Sequence, residues 1–290
     1  MRMIARVAAA AACAVLSGCY HLNKSDIFEV AFAPVQPRSL RDMSDADHHV
    51  RSLSIRAAGR EVSAYWDDGK DARGVLIFFD GNGYGAEIAL RRLLAPARAL
   101  HLDLVAFDYF DRGQTPPSMA DMRAIEDALF AAASSLPVSA ARTIYAGGHS
   151  VGATFALELA GRHHLAGVFL AAPVSTGIAM IHHQIPYSRL IRLLPDEDYR
   201  QFDNLKLAPM VRSPVIVFGS DHDTDLPPEF TNAVYAALPV RIRKQEVILH
   251  GVVHSGYLAD ETFWRDVANF FGLAINGPLV GYIRPGTPIH

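Results

Sequence analysis

A serine between two glycines is the residue of this sequence best placed to act as a nucleophile. Ser150 lies in the pentapeptide 148–152, GHSVG, which matches the pattern G-x-S-x-G. The stretch 143–147 before it predicts a buried strand, and residues 153–160 after it predict a helix that ends at Gly161. So sharp a turn strains the serine backbone and excludes bulky neighbours, which is why glycine flanks it. The turn would hold the hydroxyl beside a helix N-terminus, where developing negative charge is stabilised.

A serine hydroxyl is a poor nucleophile until a base removes its proton, and the base is usually a histidine held by a carboxylate. Two later predicted strands end in loops that offer both kinds of group. Because loops after the carboxyl ends of parallel strands meet at one edge of a sheet, we expect one aspartate and one histidine to reach the serine. The remaining candidates are then solvated carboxylates or structural loop histidines. The candidates are Asp221, Asp223, Asp225, His250 and His254.

The elements that position these loops follow a regular alternation. Apolar runs of strand length alternate with helical stretches, which predicts one mostly parallel sheet with helices on both faces. The predicted strands cover 51–55 and 61–66 (a hairpin that turns at Ala58-Gly59), 75–79, 102–107, 143–147, 167–173, 214–219 and 245–249. The predicted helices cover 86–100, a stretch after the N-cap Ser118, 153–160, 228–238 and 262–271.

Composition narrows the functional classes. The chain has 290 residues, of which 50% are hydrophobic, so it can bury one large core. Its net charge of −3 gives no basic surface for nucleic acid, so no nucleic-acid partner is expected. No apolar run is long enough to cross a bilayer.

At this point the chain resembles the α/β-hydrolase superfamily over nearly all of its length after residue 18. Besides GHSVG, the motif DTDLP at 223–227 is similar to the family's D-x-x-[VLI]-P, and GVVH at 251–254 is similar to its histidine segment. The loop 108–115 is similar to the family's D-x-R-G-x-G-x-S, with the later Gly and Ser replaced. FDGNG at 79–83 is similar to the His-Gly-Asn-Gly turn of esterase- and aminopeptidase-like members, but Asp80 stands where they have histidine.

The resemblance implies roles for single residues. Ser150 would be the nucleophile, His254 the base and Asp223 the acid, in the chain order Ser, Asp, His expected of this fold. The backbone N–H groups of Asn82 and Val151 would form the oxyanion hole. The implied activity is cleavage of an acyl bond, favouring a carboxylic ester of a small molecule, with no metal or organic cofactor. Amide or peptide hydrolysis is the first alternative, and a non-catalytic binding module on the cell envelope is the second.

The N-terminus predicts export. Arg2 and Arg6 precede the apolar stretch 7–16, which ends in Leu16-Ser17-Gly18-Cys19 and resembles a bacterial lipoprotein signal. Cleavage after residue 18 would leave Cys19 to carry lipid and anchor the protein to a membrane of the cell envelope, on the periplasmic side of the outer membrane. An ordinary secretory signal with an incidental cysteine is the alternative. Cys13 would be removed with the signal, so no thiol would remain for a disulfide, a metal or catalysis.

The expected organisation is a single hydrolase domain with short flanking segments. Residues 1–18 are the signal, 19–49 an irregular tether that leads to the domain, 50–273 the α/β-hydrolase domain, and 274–290 a tail. Within the domain, 174–210 is expected to form a small cap. Its apolar side chains either line an acyl pocket or pack on the sheet; they are Ile178, Met180, Ile181, Ile185, Tyr187, Leu190, Ile191 and Leu193.

Three weaker patterns point to other ligands. Gly81-x-Gly83-x-x-Ala86 after a strand, with Asp108 after the next strand, also fits a dinucleotide-binding fingerprint, but leaves the serine motif and the later loops unexplained. The aspartates at 221, 223 and 225 suggest calcium, but Leu226 stands where an EF-hand loop needs glycine. Three histidine pairs suggest a metal, yet adjacent side chains point apart, so we expect solvated or interfacial histidines; the pairs are 48–49, 163–164 and 182–183.

Overall fold

The computed structural model describes residues 19–28, 30–136, 143–185, 188–190 and 192–280. The predicted signal at 1–18 lies outside the described residues, as do Tyr187 and Ile191 of the predicted cap and the last part of the predicted tail, 281–290.

An eight-stranded sheet occupies the centre of the described chain. In chain order its strands are β2 (His48–Ala57), β3 (Arg60–Gly69), β4 (Gly74–Phe79), β5 (Leu102–Phe107), β6 (Ile144–His149), β7 (Gly167–Ala171), β9 (Val215–Ser220) and β10 (Lys244–Leu249). Their order across the sheet is β10-β9-β7-β6-β4-β5-β3-β2. The β2–β3 and β3–β5 pairs are antiparallel and the other pairs are parallel. A separate parallel pair joins β1 (Cys19–Leu22) to β8 (Arg192–Pro195).

Helices cover both faces of the sheet. They are α1 (Pro37–Asp42), α2 (Ala86–Ala99), α3 (Met119–Ser135), α4 (Gly152–Arg162), α5 (Gly177–Gln184), α6 (Glu197–Gln201), α7 (Asn204–Leu207), α8 (Pro228–Ala237) and α9 (Glu261–Phe271). Along β4, Ile77 faces a core shared with α3, α4 and α8, whereas Leu76 and Phe78 face a core shared with α2 and α9. This alternation follows from the two-residue period of a strand, and it confirms the predicted architecture. No helix among the described residues is both long enough and apolar enough to span a membrane.

Local sequence signals explain several element boundaries. The predicted hairpin turns at Ala58 and Gly59, which both have positive φ (51° and 71°), as the tight turn between twisted antiparallel strands requires. Ser118 caps α3 by accepting a hydrogen bond from the Asp121 N–H, while the Asp121 carboxylate accepts one from the Ser118 N–H. The hairpin and the capped helix are confirmed.

The helix after Ser150 does not end at Gly161, as the sequence predicts. It continues through Arg162 and ends because His163 is extended, with φ −118° and ψ 145°. A glycine ends a helix when it adopts the left-handed conformation, and Gly161 is not among the glycines with positive φ.

The segment expected to be an irregular tether is packed on the domain instead. It contains β1, a 3₁₀ helix at Lys24–Asp26 and α1. Leu22, Ile27 and Phe28 are at most 3% exposed and belong to the core beside α3 and α4. Burial of these three apolar side chains, together with the β1–β8 pair, explains why the segment is ordered.

The cap segment 174–210 is built of short elements, namely α5, α6, α7, β8 and two 3₁₀ helices (Ser188–Leu190 and Ala208–Met210). Of its apolar side chains, Met180, Ile181 and Ile185 are buried in the core. Ile178 and Leu193 are partly buried against that core, whereas Leu190 is 80% exposed. These five side chains therefore pack with the core of the domain, and an acyl pocket lined by the cap stays a prediction.

Candidate active site

Ser150 sits at a sharp turn between β6 and α4. It has φ 56°, a left-handed conformation that is strained for a residue with a side chain. A Cβ at Gly148 would lie 2.5 Å from the Ala153 Cα, and a Cβ at Gly152 would lie 2.1 Å from the Phe79 carbonyl oxygen. Neither position can hold a larger residue, so the two glycines are required by close backbone approach.

The structure brings Ser150, His254 and Asp223 into one hydrogen-bonded chain. The His254 Nε2 lies 3.1 Å from the Ser150 Oγ, and its Nδ1 lies 2.9 Å from the Asp223 Oδ2. These distances lie within the range in which a histidine can accept a proton from a serine. The three groups come from loops after β6, β10 and β9, which end at the same edge of the sheet.

Asp223 is fixed by contacts on both carboxylate oxygens. Its Oδ1 accepts hydrogen bonds from the N–H groups of Asp225 and Leu226, at 3.0 and 2.9 Å. Its Oδ2 accepts from the Tyr257 hydroxyl at 3.1 Å as well as from His254. Burial alone would raise the pKa of Asp223, but these hydrogen bonds and the nearby imidazole hold it below its usual value. Asp223 therefore carries negative charge beside His254 at neutral pH.

The other aspartate and histidine candidates form a separate surface cluster. Asp221 pairs with the Nδ1 atoms of His222 and His250, each at 2.8 Å, and accepts a hydrogen bond from the Gly251 N–H. Hydrogen bonds from the two imidazoles and the Gly251 N–H lower the pKa of Asp221. Its side chain is 41% exposed and that of His250 is 88% exposed. The loop spacing left three aspartates open, and the structure brings Asp223 to His254.

The glycine-rich turn after β4 lies against the serine. A Cβ at Gly81 would lie 3.4 Å from the Ser150 Cβ and 2.9 Å from the His149 Nδ1. The turn therefore places Asn82 in the neighbourhood of Ser150, and Val151 follows the serine directly at the start of α4. The role of these two N–H groups as oxyanion donors stays a prediction.

The sequence did not indicate that four further residues lie next to the site: Asp80, Arg92, His149 and Tyr257. His149 is fully buried, and its Nε2 lies 2.9 Å from the carbonyl oxygen of His254. The only signals were the position of His149 inside GHSVG and the aspartate at 80 in a turn that otherwise resembles His-Gly-Asn-Gly. Nothing in the sequence indicated Arg92 or Tyr257.

The competing ligand patterns take structural contacts instead. Asp108, which a dinucleotide ribose would need, accepts a hydrogen bond from the Ala86 N–H at the start of α2, at 2.7 Å. Three paired histidines contact other protein groups: His163 contacts Asp127, His182 contacts Ser188, and His183 contacts the Thr224 carbonyl. Within the ranges that the structure describes, no group of three or more His, Cys, Asp or Glu side chains is arranged to hold a metal ion.

Comparisons with known proteins identify the fold. No family model and no curated protein matches the sequence. Among solved structures, the chain is similar to an esterase of Pyrococcus furiosus, with 13% identity over 84% of this chain and 98% of that chain and a TM-score of 0.65. It is also similar to an esterase from the archaeon Pyrobaculum calidifontis, with 17% identity over 81% of this chain and 88% of that one and a TM-score of 0.57.

A third similar structure belongs to a longer protein. The Pyrococcus horikoshii acylaminoacyl peptidase has 12% identity to this chain, with a TM-score of 0.61 over 88% of this chain. Only 45% of the peptidase is covered, so the chain spans less than half of its length. The mostly parallel sheet, its surrounding helices and these similarities show that the protein has the α/β-hydrolase fold.

Proposed function

We propose that this protein is a serine hydrolase in which Ser150 attacks an acyl carbonyl carbon. The observation that carries the proposal is the chain of two hydrogen bonds that joins Ser150 through His254 to the buried Asp223. An ionised carboxylate can only accept, so the His254 Nδ1 carries a proton and its Nε2 presents a lone pair to the serine hydroxyl. That tautomer is the one a general base requires.

The reaction then follows in two acyl transfers. His254 takes the Ser150 proton as the Oγ bonds to the carbonyl carbon and forms a tetrahedral intermediate. It gives that proton to the leaving group as the bond between the carbonyl carbon and the leaving group breaks, which leaves the acyl-enzyme. The Asp223 carboxylate stabilises the imidazolium between these steps. The N–H groups of Asn82 and Val151 would hold the oxyanion, and loss of one such donor costs roughly 3 kcal/mol. Water that His254 activates hydrolyses the acyl-enzyme and restores the serine.

A carboxylic ester is the proposed substrate, and an amide or peptide bond is the alternative. The esterases from Pyrococcus furiosus and Pyrobaculum calidifontis are similar to this chain over most of both lengths. The similar acylaminoacyl peptidase has more than half of its length outside the match. This difference in coverage favours an ester.

A fluorophosphonate probe tests the nucleophile directly. We expect the wild-type protein to be labelled and Ser150→Ala to lose labelling while keeping its melting temperature. Ser175→Ala is the matched control, because Ser175 is also buried and follows β7, the strand next to β6. Continued labelling of Ser150→Ala would remove this serine from its role.

A panel of substrates then separates the activities. Acyl esters of graded chain length are measured beside aminoacyl amides with the same protein. Turnover confined to esters supports the proposal, and faster turnover of amides assigns a peptidase. No turnover of either esters or amides, together with no probe labelling, would favour a binding module with this fold.

We also propose that lipid on Cys19 attaches the protein to a membrane of the cell envelope. Besides the sequence LSGC at 16–19, the support is the position of Cys19 in the fold. The strand β1 starts at Cys19 itself and pairs with β8 of the cap, with Cys19 opposite Arg192. A lipid at this residue would hold the cap at the membrane surface without a tether.

The exposed residues near Cys19 suit such a surface. Adjacent strands are about 4.8 Å apart, and two residues span at most about 7 Å, so Leu190 lies within about 12 Å of Cys19 along this path. Leu190 is 80% exposed, and Arg189 and Arg192 beside it are exposed as well. An apolar side chain flanked by arginines favours an anionic bilayer surface.

Fractionation of the full chain in a bacterial host tests the anchor. Cys19→Ala is expected to leave the membrane fraction. Cys13→Ala is the matched control, because Cys13 lies inside the predicted signal and should leave the membrane association intact. Cys19→Ala that stays with the membrane would contradict lipidation at this residue.

A further inference from the structure

We propose that Asp80, Arg92 and His149 form a buried positioning cluster that fixes the segment carrying His254 relative to the glycine-rich turn and Ser150. The kinetic test of this cluster rests on the proposed hydrolase function, whereas a second test does not.

Two consecutive carbonyl groups of the His254 segment accept hydrogen bonds from this cluster. The His149 Nε2 lies 2.9 Å from the His254 carbonyl oxygen, and the Arg92 Nη2 donates to the Ser255 carbonyl oxygen at 3.1 Å. Since a carbonyl oxygen only accepts, the His149 Nε2 carries the proton in this contact. His149 belongs to β6 and Arg92 to α2, so both donors stand on regular elements of the scaffold.

The Asp80 carboxylate contacts both donors. Its Oδ1 lies 3.6 Å from the Arg92 Nη1, an electrostatic contact longer than a direct hydrogen bond. It also lies 3.4 Å from the His149 Nδ1, which carries no proton in a neutral ring that donates through Nε2. The same oxygen accepts a hydrogen bond from the Gly81 N–H at 2.7 Å. One carboxylate therefore links the glycine-rich turn to Arg92 and packs against His149, the two residues that hold the His254 segment.

The backbone of Asp80 is held as well. Its carbonyl oxygen accepts a hydrogen bond from the Tyr109 hydroxyl at 2.6 Å. Burial and the nearby Asp80 charge raise the pKa of Tyr109, so it stays a donor. This contact fixes the start of the turn independently of the side chain.

The electrostatics of the cluster suit a support rather than a second base. Asp80, Arg92 and His149 are each at most 6% exposed. Burial would raise the pKa of Asp80, but the Arg92 guanidinium and the hydrogen bond from the Gly81 N–H oppose it, and the pKa lies below its usual value. Burial lowers the pKa of His149, which keeps this ring neutral. A neutral His149 is useful because its ring centre lies 5.0 Å from that of His254, which becomes an imidazolium during the reaction.

Small displacements of His254 would be costly. Its Nε2 is 3.1 Å from the Ser150 Oγ, and a misplacement of about 1 Å of a reacting group typically costs about 10²-fold in rate. Asp223 orients the imidazole ring, but it does not hold the backbone from which the ring projects. The contacts on the carbonyls of His254 and Ser255 supply that second constraint.

Kinetics of matched variants test the cluster. We expect His149→Leu and Asp80→Asn to lose about 10- to 100-fold in kcat per folded molecule, with KM changed less than about threefold. His149→Gln is expected to recover most of the loss, because its amide N–H reaches toward the same carbonyl. Glu126→Gln is the control: Glu126 is a fully buried carboxylate paired with Arg162 at 2.7 Å, outside this cluster. Glu126→Gln should leave kcat per folded molecule unchanged.

Hydrogen exchange of residues 250–258 gives a readout that needs no activity. Asp80→Asn and His149→Leu should accelerate exchange there more than Glu126→Gln does. Unchanged kcat and unchanged exchange in both variants would overturn the proposal, and so would a loss of kcat that merely follows the folded fraction. If the wild-type protein neither labels with the probe nor turns over esters, the proposed function fails, and the exchange experiment still decides the cluster.

Discussion

Replacing Asp223 by asparagine tests which tautomer His254 adopts. The Asp223 Oδ1 accepts hydrogen bonds from the N–H groups of Asp225 and Leu226. The amide oxygen of an asparagine must take that position, because an NH₂ group there would face two donors. The NH₂ group then takes the place of Oδ2 and donates to the His254 Nδ1. The imidazole proton moves to Nε2, which can no longer accept a proton from Ser150.

The magnitude follows from the same contacts. The opposite amide orientation would restore the productive tautomer, but it would leave two buried N–H groups without an acceptor. Each unsatisfied group costs about 1–3 kcal/mol, so the productive form lies about 2–6 kcal/mol higher. This corresponds to a loss of roughly 30-fold to 10⁴-fold in kcat. Removing the negative charge beside the imidazolium adds to the loss, so we expect about 10³- to 10⁴-fold.

The assay is ester hydrolysis at pH 7 to 9 with protein of verified melting temperature. Asp221→Asn is the matched control from the same loop, and its contacts are with the exposed His222 and His250. Surface pairs of this kind contribute little, so its kcat should change less than about threefold. Activity of Asp223→Asn within tenfold of the wild-type value, or an equal loss in Asp221→Asn, would refute the reasoning.

Three further predictions concern the stability of the protein, the sharp turn at Ser150 and the membrane. Burial raises the pKa of Asp108 to about 7, so the stability that its protonated form contributes is complete below about pH 4 and is lost as the pH rises through 7. Asp108→Asn should therefore raise the free energy of unfolding by up to about 4 kcal/mol at pH 8. Urea unfolding curves that shift equally at pH 4 and pH 8 would contradict this prediction. Gly152→Ala should abolish ester hydrolysis, because the new Cβ would lie 2.1 Å from the Phe79 carbonyl oxygen. Gly161→Ala is the control, because its Cβ would contact only Met210, at 3.4 Å. This control should stay active and gain up to about 1 kcal/mol of stability in urea unfolding. Leu190→Asp should slow hydrolysis of an ester embedded in anionic vesicles and leave the rate on a soluble ester unchanged; equal effects on both would argue against a membrane-facing cap.

The order of the elements could be predicted because each central strand is indicated by its own apolar sequence. All six residues of β4 are apolar or glycine and all are buried, as a strand covered on both faces requires. The turn at Ser150 could also be predicted, because the close backbone contacts that require glycine involve positions 148 and 152, two residues from the serine on either side. Where a constraint is local in sequence, the pattern carries it.

Contacts between distant segments left weaker traces. Pairing of β1 with the cap joins Cys19 to Arg192, and nothing in the polar stretch after Cys19 indicates a partner. Arg92 is an arginine in an amphipathic helix, where solvent exposure is the usual outcome, yet it reaches the carbonyl of Ser255. Three aspartates share the loop after β9, and the hydroxyl of Tyr257 and the N–H of Leu226 select the buried one only once the chain has folded.

Two sets of contacts position the His254 imidazole, one on its ring and one on its backbone. Asp223 acts on the ring, through Nδ1, and sets its tautomer and rotation. His149 and Arg92 act on the backbone, through two carbonyl groups, and set where the ring begins. Because His149 immediately precedes Ser150, the strained backbone at Ser150 also carries the donor that holds the His254 segment. The contact between the His149 Nε2 and the His254 carbonyl oxygen therefore joins the two loops directly, beside the 3.1 Å separation of the Ser150 Oγ and the His254 Nε2.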